Sequence, residues 1–376
     1  MDTQEHLSDQ REKIDEIDQK ILQLLKERNQ VAQDVVRKKV DKQLPIFVAE
    51  REKAKTRHFR ERAEALDLDP EWAEDFLRMI MSSSRASQSS ETFPRSTPEP
   101  KRILFVGGEG GMGRLYRSIA ERSNHDVFSI DKSNWYELDT IAESLDLAIV
   151  TVPIKVTPSV IRRLSAKLKP DTVLADFTSN KSEPLEAMLE HHSGPVVGLH
   201  PMHGPDVPNL SKQLMVVCPG RDVGRASWLI EQCRLWGMRI IEAEPEKHDH
   251  VMHLVQGLRH YVALLHGSFM KQYDLDPNEM IDYSSPIYRA ELMMTGRIFA
   301  QDAELYADIV FANRERRELL LNFFEHHKKL VEMVEADDKE GFIREFEEVT
   351  DFFGSFAVQA LEESGYLINR LADRFS

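Results

Sequence analysis

Apolar residues along the chain fall into two textures. Near the start they sit at Ile14, Ile17, Ile21, Leu24, Leu25, Val31, Ala32 and Val35. Steps of three and four make these one stripe of a long helix, expected to run from Ser8 as N-cap to Val40. Pro45 and Pro70 interrupt the helical pattern. A second helix opens with Arg51-Glu52, and a third carries Ala73, Leu77, Ile80, Ser84 and Gln88, whose last two places turn polar. From Lys101 the pattern changes to short apolar runs at residues 103–106, 127–130, 147–152, 172–175, 196–199, 214–217 and 239–241. Helical patterns separate them, which predicts a parallel sheet with helices on both faces. In GLHPMHGP, residues 198–205, the strand is expected to stop before His200, because Pro-Met-X-Gly-Pro does not continue one. After Glu244 the strands end and the rest reads as long amphipathic helices rich in Phe and Leu. The stretch SSETFPRSTPEP, residues 89–100, reads as a linker.

Composition narrows the class. The length of 376 residues supports two or three domains, and 41% hydrophobic with 30% charged residues is ordinary for a soluble protein. No apolar run approaches the ~20 residues of a membrane span. The charged N-terminus reads as neither secretory signal nor transit peptide. Cys218 and Cys233 are too few for a disulfide framework. A cytoplasmic protein is expected. The net charge of −15 argues against nucleic acid and anionic membrane as partners. An anionic substrate would then require cations gathered locally, so arginines at apolar positions matter.

Arg28 is such a residue. At 100° per residue the helix-one stripe lies within about 60° of it, and Lys39 within about 20°. A buried cation needs an anion, either an acid of the chain such as Asp18 or Glu50, or a ligand. Arg51, Glu52, Ser84 and Gln88 add polar groups to the same helical core. Arg11 is 17 residues before Arg28, roughly 25 Å along the axis, too far to share one small ligand within one chain. In this pattern residues 1–90 resemble the all-helical chorismate mutases, intertwined dimers of three-helix chains. The resemblance implies that Arg28, Arg51 and the partner's Arg11 bind the carboxylates of chorismate. It also implies that Lys39 and Gln88 face the ether oxygen, Glu52 the ring hydroxyl and Ser84 a carboxylate. Val48 stands where some members carry an aspartate.

KRILFVGGEGGMGR places Gly108-x-Gly110-x-x-Gly113 between a strand and a helix. Gly108 is expected to make the tight turn, Gly110 to admit a pyrophosphate and Gly113 to let helix and strand approach. The next strand ends at Asp131, placed to accept hydrogen bonds from a ribose and to repel a 2′-phosphate, which favours NAD over NADP. A histidine beside a hydride acceptor suggests alcohol oxidation. HPM-x-GP resembles the motif of prephenate dehydrogenases, which implies that His200 is catalytic. By the same resemblance Ser179 bonds the substrate hydroxyl and Lys181 is a nearby cation. His203 departs from the aromatic or small residue usual there. Residues 284–309 resemble the substrate-binding segment of that family. This implies that Arg297 holds the ring carboxylate, that Arg289 supports it, and that His260 lies near the substrate and is linked to inhibition by tyrosine.

The expected organisation is therefore multidomain. A three-helix all-α chorismate mutase domain (1–90) and a linker (91–100) precede an α/β Rossmann-type NAD-binding domain (101–244) and an all-α substrate-binding and dimerisation domain (245–376). The resemblance implies a homodimeric bifunctional enzyme of tyrosine biosynthesis, acting on chorismate and prephenate. Two alternatives stay open: a non-catalytic dimerising module for residues 1–90, and a β-hydroxyacid dehydrogenase, which would rely on a lysine, for the rest. His248, His250 and His253 in EKHDHVMH lack the spacing of a metal site, and no metal is expected.

Overall fold

In a computed structural model the protein is described for residues 2–45, 48–87 and 92–375, with side chains for 8–45, 48–84 and 92–371. It forms two compact units, Met1–Glu246 and Lys247–Ser376. The first begins with three helices, α1 (Asp2–Asp41), α2 (Ala49–Glu64) and α3 (Pro70–Ser87). Helix α1 starts six residues before the expected N-cap Ser8, because the polar residues before it simply continue the helix. Pro70 opens α3, where it gives up no helical hydrogen bond, and Asp69 Oδ1 accepts the N–H of Glu71 at 2.9 Å. The α1 stripe is not covered by the chain's own helices: Ile14, Ile17 and Leu24 stay 56%, 53% and 63% exposed. The reason is length. Helix α1 has 40 residues against 16 and 18 for α2 and α3, so their span of roughly 27 Å covers less than half of its ~60 Å.

Residues 92–100 do not behave as a free linker. The fully buried side chain of Gln232 accepts from the Ser96 N–H at 2.8 Å and donates to Pro94 O at 3.0 Å. The Phe93 N–H donates to Arg122 O. A segment poor in apolar residues is held here by its backbone polar groups, which composition does not reveal.

The sheet has seven strands in the order β2-β1-β3-β4-β5-β6-β7. They are β1 (Arg102–Val106), β2 (Asp126–Ile130), β3 (Leu147–Val150), β4 (Val173–Asp176), β5 (Val196–Pro201), β6 (Leu214–Pro219) and β7 (Arg239–Glu242). Along β1, Ile103 and Phe105 join one apolar core while Leu104 and Val106 join another, the two faces of a doubly covered sheet. Helices α4 (Gly111–Arg122), α5 (Leu138–Ile141), α6 (Thr157–Ser165), α7 (Ser182–His191) and α8 (Ser227–Leu235) connect the strands.

Two expectations are corrected. The sheet is mixed, since β6 runs antiparallel to β5. Strand β5 also continues through His200 and Pro201, paired with Val216 and Met215. Strand β4 leaves β5 at Gly198, so Pro201 has a strand on one side only and its missing N–H breaks no ladder on the other.

The second unit is helical. Helix α9 (Pro245–Met252), which begins just before it, leads through a π-helical turn (His253–Leu258) into α10 (Arg259–Gln272), α11 (Pro277–Asp282), α12 (Pro286–Phe299) and α13 (Ala303–Val310). Helices α14 (Arg314–Glu335), α15 (Lys339–Phe353) and α16 (Ser355–Phe375) complete it. Phe269, Phe324, Phe346, Phe352 and Leu361 remain exposed on this unit. Among the described residues no helix is long and apolar enough to cross a membrane.

Candidate active sites

Helices α1 to α3 gather one group of cations. The Arg28 guanidinium donates to Ser84 Oγ at 2.7 Å, and the buried Ser84 donates in turn to Asn29 Oδ1 at 2.7 Å. Arg28 forms no ion pair among the described residues: its side-chain partner is a hydroxyl, and Glu50 pairs with Lys53 instead. Desolvation lowers the pKa of Arg28. The pKa values of Lys39 and Lys55 are lowered too, first by desolvation, then for Lys39 by Arg51 and for Lys55 by Arg28 and Arg51. The one opposing charge acting on Lys55 is Glu52. Four cations around one carboxylate make a place that favours a guest of negative charge. Lys39 Nζ donates to Pro45 O at 3.1 Å, which closes the end of α1. Arg11 lies far down the exposed part of α1 and does not join the group. Gln88 lies outside the described residues. Lys55, one turn after Arg51 and so on its face, was legible in the sequence but not singled out.

The second site lies at the carboxyl ends of β1, β3, β4 and β5. The tight turn after β1 falls on Gly107, not Gly108: its φ is +85°, a region open to glycine. Gly110 caps α4, and its N–H bonds back to Gly107 O at 3.0 Å. A Cβ on Gly113 would lie 2.5 Å from Gly107 O, so α4 can start this close to the turn only with glycine there. Gly108 passes against Ser129 of β2. Asp131 follows β2 directly and its N–H donates to Asn134 Oδ1 at 2.7 Å. A glycine turn, an open helix N-terminus and an acid on the neighbouring strand end together fit a dinucleotide.

His200 is buried at the end of β5. On the adjacent turn after β4, the side-chain oxygens of Thr178, Ser179 and Asn180 are buried with no hydrogen-bond partner. Three orphaned acceptors or donors in one turn beside a histidine are the mark of a place built for a polar ligand. Lys181, expected as a cation near the cofactor or substrate, is fully buried. Its ammonium is 2.5 Å from Asp176 Oδ2 and 2.8 Å from Leu199 O. That carbonyl belongs to the part of β5 that β4 no longer pairs, and Lys181 takes the vacant ladder position. His203 bonds the hydroxyl of the buried Tyr116 on α4 at 3.0 Å and stacks on its ring, and burial lowers its pKa. Pro205 packs where a Cβ on Gly111 would be, 2.9 Å from the proline ring. The histidine loop is thus seated on the N-terminal half of α4.

In the second unit Arg289 and Arg297 lie on α12, the first half-buried and the second exposed. His260, on α10, meets the Tyr306 ring edge-on at 4.7 Å, and its buried Nδ1 has no hydrogen-bond partner. Burial first, then Arg259 and Arg316, lowers its pKa to about 4. Arg316 is a residue sequence reasoning missed, hidden in the polar run RERRELLL. It is fully buried against Gly257 and donates to Ile309 O, while its Nε and Nη2 have no hydrogen-bond partner. His248 bonds Asp249 at 2.8 Å. Among the described residues no group of His, Cys, Asp or Glu could hold a metal ion.

Comparison with known proteins finds three family matches along the chain. Residues 10–89 match the family chorismate mutase type II. Residues 126–237 match the prephenate dehydrogenase nucleotide-binding domain, and 244–348 the prephenate dehydrogenase dimerization domain. The chain is 37% identical to the T-protein of Enterobacter agglomerans over 363 residues, 96% of this chain and 97% of that protein. It is also 37% identical to the T-protein of Haemophilus influenzae over 373 residues, 99% of each. Among solved structures, prephenate dehydrogenase from A. aeolicus in complex with hydroxyphenyl propionate and NAD+ shares the fold. It aligns with a TM-score of 0.53 at 19% identity, over 68% of this chain and 97% of that one.

Proposed function

This chain belongs to the T-protein family, bifunctional chorismate mutase/prephenate dehydrogenases of tyrosine biosynthesis, and we propose that Arg28, Lys39, Arg51 and Glu52 carry its first reaction and His200 its second. In the first, chorismate rearranges to prephenate: an ether C–O bond breaks as a C–C bond forms. No nucleophile is needed, only a folded substrate and positive charge where the ether oxygen becomes electron-rich. Arg28 and Arg51, with the partner's Arg11, hold the two carboxylates, and Ser84 supports one of them through Arg28. Lys39 and Gln88 face the ether oxygen, and Glu52 accepts the ring hydroxyl.

In the second reaction prephenate is oxidised and loses CO2, giving 4-hydroxyphenylpyruvate. NAD, held by the residue 107–113 turn and Asp131, supplies the acceptor for the hydride. His200 takes the proton of the ring hydroxyl, and the buried Ser179 hydroxyl orients that oxygen. The forming carbonyl draws in the electrons of the bond to the ring carboxylate, and aromatisation makes the step irreversible. Arg297 holds the ring carboxylate, with Arg289 in support. His260, whose buried Nδ1 lacks a partner, serves prephenate or tyrosine as a feedback inhibitor. Lys181 acts through β5 rather than on the substrate. The chain works as a cytoplasmic homodimer.

The observation that carries the reading is the set of polar groups the chain leaves for a guest. Arg28 has no acid of its own among the described residues, and three buried oxygens beside His200 have no bond. The full chain is tested with chorismate, following loss of its ultraviolet absorbance, and with prephenate and NAD, following NADH. Failure of either assay with well-folded protein removes that half of the proposal.

A further inference from the structure

The loop between β5 and β6 carries a second anchored residue besides His203. Lys212 adopts a left-handed backbone, φ 68°, and its N–H donates to Gly237 O at 2.8 Å. The next residue, Gln213, receives the Arg239 N–H on its carbonyl at 2.8 Å. The backbone at this point is therefore fixed by β7 and the turn before it. The Lys212 side chain leaves the nucleotide fold and reaches the first turn of α2, where Nζ lies 2.7 Å from Glu52 Oε2. The carboxylate end is the more enclosed, with side-chain exposures of 39% for Lys212 and 21% for Glu52.

We propose that Lys212 is a positioning residue of the mutase site: a residue of the dehydrogenase half fixes the Glu52 carboxylate that accepts the ring hydroxyl of chorismate. The inference rests on that reading of Glu52. Lys55 feels both Arg28 and Arg51 as well as Glu52, so Glu52 stands in a field of cations on its own helices that pulls it toward the bound dianion's place. A charge from outside those helices, on a backbone pinned by the sheet, decides where the carboxylate rests. One oxygen is held by a charge-assisted bond. A carboxylate offers about four acceptor positions, so the same group still accepts a hydroxyl.

The test uses the full chain with Lys212→Met, Lys212→Arg, Glu52→Gln and the Lys212→Met/Glu52→Gln double variant. Lys212→Met is expected to raise the KM for chorismate about tenfold, the loss of one hydrogen bond to a charged group, with a smaller change in kcat. Lys212→Arg should recover most of it. The double variant should be no worse than Glu52→Gln alone, because the lysine acts through that carboxylate. Turnover of prephenate serves as the folding control and should stay within about twofold of wild type. If Glu52→Gln impairs the mutase while Lys212→Met leaves it unchanged, or if the two effects multiply, the positioning role is wrong and the Glu52 reading stands. If Glu52→Gln leaves the rearrangement intact, both fall.

Discussion

His200, on β5, and Lys181, at the start of α7, lie close together but differ in what they bond. The imidazole ends β5 beside three unbonded oxygens, while the ammonium is spent on Asp176 and the Leu199 carbonyl. Replacing His200 with Asn should lower the dehydrogenase kcat by roughly 10²–10⁴-fold, the usual worth of a general base, and leave chorismate turnover intact. Parallel assays of the two activities measure this. Replacing Lys181 with Met strands a buried carboxylate and should cost about 3–5 kcal/mol of stability, read by denaturant unfolding. A loss of activity with undiminished stability would place Lys181 on the substrate instead. If Lys39 faces the ether oxygen as proposed, Lys39→Ala should reduce mutase kcat by about 10²–10³-fold, while NADH formation from prephenate is retained.

Among the elements, α4 has two tasks. Its first turn is the proposed seat of the NAD phosphates, and its middle seats the histidine loop through Tyr116 and His203. The helix can do both because Gly113 lets it start against the Gly107 carbonyl. Gly113→Ala pushes a Cβ into that carbonyl, so α4 must move. The expected result is a KM for NAD raised by an order of magnitude or more, with chorismate turnover unchanged. Initial rates at varied NAD decide it, and an unaltered KM would mean that the helix does not hold the phosphates.

For the whole molecule, the proposed homodimer accounts both for the uncovered stripe of α1 and for the distance of Arg11 from Arg28. Arg11→Ala and Arg28→Ala should each abolish the mutase. Mixed and refolded together, the two variants form heterodimers in which one site regains both arginines, so about a quarter of wild-type activity should return. No recovery would mean that each chain makes its own site. The second unit adds a pH limit. Unfolded, His260 takes up a proton as pH falls below its ordinary value of 6.5; in the native protein it resists until about 4. The contribution of His260 to native stability is therefore full above pH 6.5 and is lost progressively between 6.5 and 4. Thermal melts of wild type and His260→Gln should diverge only in that window, with the variant less acid-sensitive.

The local part of this was legible in residues. Spacings of three and four gave α1 and α3, the short apolar runs gave the seven strands, and the histidine motif with its glycine turn marked a strand-end site, because each depends on neighbours within one or two turns of chain. Lys55 and the Gly107 turn could also have been read there. Other features had no local signal. The antiparallel return of β6 carries His200 and Pro201 into the sheet. The Leu199 carbonyl captures Lys181, Gln232 straps residues 92–100 down, and Lys212 meets Glu52 across 160 positions of sequence. The sequence by itself determined which chemistry the chain holds and on which elements. Only the tertiary structure decided which of its charges satisfy one another, because a salt bridge or a missing ladder bond is set by distance in space, and no periodicity records that.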